Sequence, residues 1–149
     1  MFLRLMILVL SLGLFAAPQR ALADMALFSA QDGVAIGGYD PVAFFETGHA
    51  VQGSSEHVLM WKGAVWRFSS ASNQMRFEMN PWAYAPMFGG YCAFAMAQGR
   101  LTTADPELWV IVDGELFLLN SPQVRRRWQA EAETLIAEAR SNWPNALRR

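Results

Sequence analysis

The chain has 149 residues, one cysteine and a formal charge of −1 at neutral pH, with 53% hydrophobic and 17% charged residues. Its only basic run is Arg125-Arg126-Arg127, so it lacks the electrostatic footprint of a nucleic-acid-binding protein. A single cysteine excludes an internal disulfide, and the core alone must hold the fold.

Residues 1–23, MFLRLMILVLSLGLFAAPQRALA, have the pattern of a secretory signal peptide. Arg4 is the short positive region, residues 5–17 are apolar, and Ala21-Leu22-Ala23 is a small-x-small cleavage site before Asp24. The apolar run is shorter than the ~20 residues that span a hydrocarbon core. These features predict an exported protein, periplasmic or secreted, that is not embedded in the membrane after cleavage. Residues 24–149 suit one domain. Without Arg4 and Arg20 they carry 10 basic and 13 acidic side chains, a charge of −3.

The segment ALFSAQDGVAIGGYDPVAFFETGHAVQG reads as a short strand or loop, a turn and an extended piece, with Asp40-Pro41 starting a turn. HVLMWKGAVWRF shows two apolar runs around Lys62-Gly63, a hairpin signal. Ser69 or Ser70 caps a helix over SASNQMRFEMN, with Ser72, Met75, Arg76 and Met79 on one face and Asn80-Pro81 closing it. PWAYAPMFGGYCAFAMAQG is irregular up to Gly89-Gly90 and helical over residues 91–97, with Trp82 and Tyr84 assigned to the core. PELWVIVDGELFLLN carries Asp113-Gly114 between apolar runs, the strongest hairpin signal in the chain. Ser121-Pro122 opens one long helix over residues 122–141, whose apolar stripe is Val124, Trp128, Ala132, Leu135, Ile136 and Ala139. No internal repeat and no linker is visible. Hairpins alternating with helices predict a small single α+β domain with antiparallel hairpins and a long C-terminal helix.

Cys92 is the residue with the most chemistry. As a small apolar side chain it could be core filler. If a helix opens at Tyr91 after the glycine pair, unpaired N–H groups would instead favour its thiolate, making it a redox or soft-ligand candidate. Met96 lies four residues on and Met87 precedes the glycines; thiolate with thioethers would suit Cu(I), although both methionines also serve as core filler. His49 and His57 are too far apart for a compact zinc motif. Tyr39 and Asp40 could line a pocket beside the Cys92 loop, or Asp40 could simply cap its turn. No serine–histidine–acid set, phosphate loop or cysteine pair is present, so no catalytic residue is assigned and the balance leans away from an enzyme.

WKGAVWRFSSASNQMRFEMNPWAYAP resembles the core of a YHS domain: an aromatic strand, a serine-opened helix, Phe77, Asn80-Pro81 and Tyr84. With GYDPVAFF, GGYCAFA, DPELWVIVDGELFLLN and the closing NWP, nearly all of residues 24–149 resembles the exported bacterial YHS domain-containing proteins. Some members of that family carry selenocysteine at the position matching Cys92, which implies a reactive chalcogen there. Many small YHS domains, such as those attached to copper-transporting ATPases, resemble metal-binding modules with one cysteine at the end of the hairpin and another in the helix; the matching positions here are Ser69 and Asn73, neither a soft ligand. Three readings follow: a soft-metal (copper) or thiol-ligand binding protein centred on Cys92 with Met96 and Met87; a thiol redox or peroxide-reactive protein; and a non-catalytic interaction domain whose pocket, near Tyr39, Asp40, Trp82 and Cys92, takes a small ligand or an envelope protein partner.

Overall fold

The structure is a computed structural model and describes residues 27–148. The signal segment, its cleavage site and Asp24 lie outside the described residues. The described chain is an α+β domain. It runs β1 (Ala30–Gln31), β2 (Val34–Ala35), α1 (Ala43–Glu46), β3 (Ser54–Trp61), β4 (Ala64–Phe68), α2 (Ala71–Met79), α3 (Pro81–Tyr84), α4 (Ala93–Ala97), β5 (Asp105–Val112), β6 (Glu115–Leu119), α5 (Pro122–Ala130) and α6 (Ala132–Asn142). Four strands form one sheet in the order β1-β2-β4-β3, antiparallel except where β2 meets β4, and β5 pairs with β6. Among the described residues no helix is long and apolar enough to cross a membrane.

Local chemistry explains the turns and caps. Asp32-Gly33, Lys62-Gly63 and Asp113-Gly114 each place two successive residues at positive φ, the two-residue hairpin turn whose twist matches the flanking strands. Ser70 and Ser121 are the helix N-caps, their hydroxyls accepting from the backbone N–H groups of Asn73 and Val124.

Three expectations need correction. The C-terminal helix is two helices, because Glu131 leaves the helical region at φ −131° and ψ 25°. The helix near the cysteine begins at Ala93, not Tyr91. Trp82, assigned to the core, is 64% exposed; the methionine face of α2 also points to solvent, and Phe77 is the residue that anchors that helix.

A fourth correction concerns repeats, for the fold contains one unit twice. Each copy opens with a bulky residue and two glycines in the left-handed region: Ile36-Gly37-Gly38 at φ 43, 63 and 80°, and Phe88-Gly89-Gly90 at φ 53, 63 and 74°. A tyrosine follows and makes an isolated bridge, Tyr39 with Gln52 and Tyr91 with Thr103. After a short helix (α1 or α4) comes a hairpin of identical register. Ser54 faces Phe68 and, past a bulge, Val58 faces Arg67; Asp105 faces Leu119 and, past the same bulge, Trp109 faces Leu118. From Ser54 and Asp105 onward, each position recurs 51 residues later. This includes the serine cap, the nine-residue helix (α2 or α5), its buried aromatic (Phe77 or Trp128) and the break that follows. Only Glu56/Glu107, Gly63/Gly114, Ser70/Ser121 and Arg76/Arg127 are identical over that stretch, so apolar pattern and backbone geometry carry the duplication.

The two copies are stacked in layers. The inner face of hairpin β3–β4 (Trp66, Phe68) and α2 enclose the first core, where the Phe77 ring lies 5.0 Å from Trp66 and 5.2 Å from Phe68. Hairpin β5–β6 closes that core with Trp109, Ile111, Leu116 and Leu118, and turns Val110, Phe117 and Leu119 into the second core beside Trp128. The copies also meet at the glycine turns. The Gly89 carbonyl accepts from the Ser29 N–H at 2.7 Å, and a Cβ at Gly89 would stand 2.0 Å from the Leu27 carbonyl oxygen.

Gly89→Ala therefore combines a left-handed φ with a backbone collision, and should cost about 2–4 kcal/mol of unfolding free energy. Gly63→Ala shares the left-handed φ but meets nothing within 4 Å, and should cost about 1–2 kcal/mol. Urea unfolding midpoints of the two variants, at unchanged slope, test the difference.

Candidate functional site

Asp40 is the one buried charged residue among the described residues. Its carboxylate is filled with donors. Oδ1 accepts from the N–H groups of Val42 (2.9 Å) and Ala43 (3.3 Å), and Oδ2 from Ser69 N–H (2.8 Å), Ser69 Oγ (2.7 Å) and Asn73 Nδ2 (2.7 Å). These bonds tie the start of α1 to the end of β4 and the first turn of α2. A carboxylate offers about four lone-pair sites, so nothing is left to meet a ligand. Asp40 caps its turn and has no exposed surface. Ser69 and Asn73, which match metal-binding cysteines in the YHS resemblance, are committed to this carboxylate.

Cys92 is the counterpart of Asp40 in the second copy. Its N–H donates to the Thr102 carbonyl at 2.8 Å, as that of Asp40 does to Val51 at 2.8 Å. Val124 takes the place of Asn73 and removes a side-chain donor, the place of Ser69 is taken by an exposed Asn120, and a small thiol stands where the first copy has its carboxylate. Cys92 and Met96 have no exposed surface and belong to the second core. Cys92 caps α4 with its N–H already bonded, rather than sitting in a free first turn. Among the described residues no group of three or more His, Cys, Asp or Glu side chains is placed to hold a metal. His49 lies exposed in the loop after α1, and His57 is half-buried on β3.

The phenol of Tyr39 donates to Glu107 Oε1 at 2.9 Å, linking the two copies. That bond is the chief cause raising the Tyr39 pKa; burial raises that of Tyr91. Both shifts favour the neutral phenol in the folded chain. Their contribution to stability is complete below the ordinary tyrosine value near 10 and is lost as pH rises through the raised values.

Trp82 and Met87 meet elsewhere, in a cleft of about 230 Å³ at the junction of the copies. Phe28, Trp82, Pro86, Met87, Phe88 and Trp143 wall it, and no charged side chain does. The cleft exists because α3 is cut short. In the second copy the equivalent helix, α6, runs on for 11 residues. In the first, Ala85 precedes Pro86 and turns extended at ψ 136°, as residues before proline do. Trp82 is thereby left on the rim, 4.8 Å from the Trp61 ring, with Lys62 Nζ 5.9 Å from its own ring. The left-handed φ of Phe88 is not special to the cleft, since Ile36 repeats it inside the first core. A larger groove of about 500 Å³ lies beside α6, but its Arg140 and Glu115 satisfy each other at 2.6 Å.

Of the residues singled out from sequence, the structure unites Cys92 with Met96 in the second core, against which Met87 also packs, and Trp82 with Met87 at the cleft. Tyr39, Asp40 and Cys92 do not line that cleft. Phe28, Phe88 and Trp143 were missed; they are far apart in sequence and carry no local signal of a shared wall. No family model, curated protein or solved structure matches the chain.

Asp40→Ala strands several donors around a buried site and should cost about 3 kcal/mol. Cys92→Ala removes one sulfur from an apolar site and should cost about 1–2 kcal/mol; urea unfolding of both variants measures the gap. The Cys92 thiol should resist a disulfide-exchange reagent in the folded chain and react in step with unfolding as urea rises. Rapid, complete labelling in buffer would show that the second core opens.

Proposed function

We propose that the chain is an exported, non-catalytic binding module of YHS type, and that its ligand site is the aromatic cleft between Trp82 and Trp143. The observation that carries this reading is the contrast between an exposed, uncharged aromatic cleft and a thiol shut inside the core. A soft-metal or peroxide-reactive role at Cys92 would require the second core to open around Cys92 and Met96. The cleft needs no such opening.

Its chemistry narrows the ligand. Rings and a thioether offer dispersion and π-face contacts, and the lining offers no charge to orient an ion. The volume lies below the ~300–1,000 Å³ of ordinary ligand pockets, which favours a compact, flat and neutral apolar molecule. The signal pattern of residues 1–23 supports export, and the order of the GYDP, WKGAVWRF, GGYC and NWP motifs supports the YHS assignment.

Calorimetric titration with 2-naphthol tests the site. Saturable one-to-one binding is expected, weakened at least about tenfold in Trp82→Ala (one tenfold step being ~1.4 kcal/mol) and unchanged in Cys92→Ala. Absence of saturation, or equal binding by Trp82→Ala, would remove the cleft as the site.

A further inference from the structure

The duplication exposes a difference between the two hairpins. Alternation gives each an inner and an outer face, and positions Val58, Met60, Val65 and Arg67 on the outer face of β3–β4 correspond to Trp109, Ile111, Leu116 and Leu118 on β5–β6. On β5–β6 this face is covered by the first core, with Leu116 and Leu118 at 0% and 1% exposure. On β3–β4 it is open along β3, where Val58 is 41% and Met60 67% exposed, and half-buried along β4 at Val65 and Arg67. An end layer of a stacked fold normally turns a polar face outward; this one turns out valine and methionine.

Arg67 stands where the second copy has Leu118. Its side chain lies over Gly38, where a Cβ would come 3.4 Å from Arg67 Cδ. Its Nε is shut off from solvent without a hydrogen-bond partner, and no carboxylate is within ion-pair range of it among the described residues. A partly buried guanidinium on an apolar face is suited to a carboxylate arriving from outside, through the bidentate geometry of such pairs. Strand addition to the β3 edge fits less well, because it meets a Val58 carbonyl already taken by Gln74 Nε2 at 3.1 Å.

We propose that the outer face of β3–β4 is a docking surface for a partner protein that lays an apolar layer over Val58, Met60 and Val65 and sets an aspartate or glutamate against Arg67. The surface is separate from the aromatic cleft, so each can fail without the other.

The test is photo-crosslinking from a photoreactive residue at position 65 in the full chain, in cells that express it. The expected product is one heterologous adduct whose crosslinked partner segment contains an acidic residue. The adduct should fall at least about tenfold in Met60→Lys and in Arg67→Gln, and persist in Trp82→Ala. Met60 is exposed enough that Met60→Lys leaves folding intact, which a circular dichroism melt verifies, so loss in that variant reads docking alone. No adduct, an adduct of the chain with itself, one unaffected by Met60→Lys, or a partner segment without an acid would each overturn the proposal.

Discussion

Hairpin β5–β6 has apolar side chains on both faces, and the rest of the molecule is arranged to keep both from water. Leu116 and Leu118 face one way, Phe117 and Leu119 the other, and all four are buried. A strand pair of this kind cannot sit at the surface. At roughly 25 cal/mol per Å² of apolar area, exposing either face would cost several kcal/mol, a large fraction of a small domain's stability. One face is covered by the second core, built on α4, α5 and α6; the other is covered by the first core, built on the first hairpin and α2. The two repeats are thus held together by a shared layer rather than by a linker.

The same architecture accounts for the lone cysteine. Both copies need something buried at the start of their short helix, beside the serine-capped helix that follows the hairpin. The first copy uses a carboxylate, and surrounds it with the Val42, Ala43, Ser69 and Asn73 donors that a buried charge demands. The second has Val124 in place of Asn73, and a small apolar side chain is the compatible choice there. Either chemistry works because each is matched by its neighbours. Mixing them would leave a buried charge without donors, or donors without an acceptor.

Divergence between the copies also places the open surfaces. Where the second copy continues its helix as α6, the first stops at Pro86, and an aromatic cleft opens beside Trp82. Where the second copy covers its outer hairpin face with another layer, the first leaves Val58 and Met60 exposed and inserts an arginine. Positions at which one repeat lacks the cover that the other has are the places where something outside the chain can bind.

The sequence by itself determined the local grammar: the hairpin turns at Lys62-Gly63 and Asp113-Gly114, a serine cap at Ser69 or Ser70 and another at Ser121, the strand pairs those turns join and hence the α+β class. These depend on φ preferences and hydrogen bonds within a few residues, so they are written where they act. It also held the candidates that proved spatially meaningful in pairs, Cys92 with Met96 and Trp82 with Met87. The repeat was not legible, because a shared backbone needs only an apolar pattern, two glycines and a few caps, and the two copies have few identical residues. The exposure of Trp82, the enclosure of Cys92 and the isolation of Arg67 were decided by tertiary structure alone. Burial is a property of what packs on a residue from elsewhere in the chain, and whether α3 or α6 continues, or a second layer arrives, cannot be read from the residue's own neighbours.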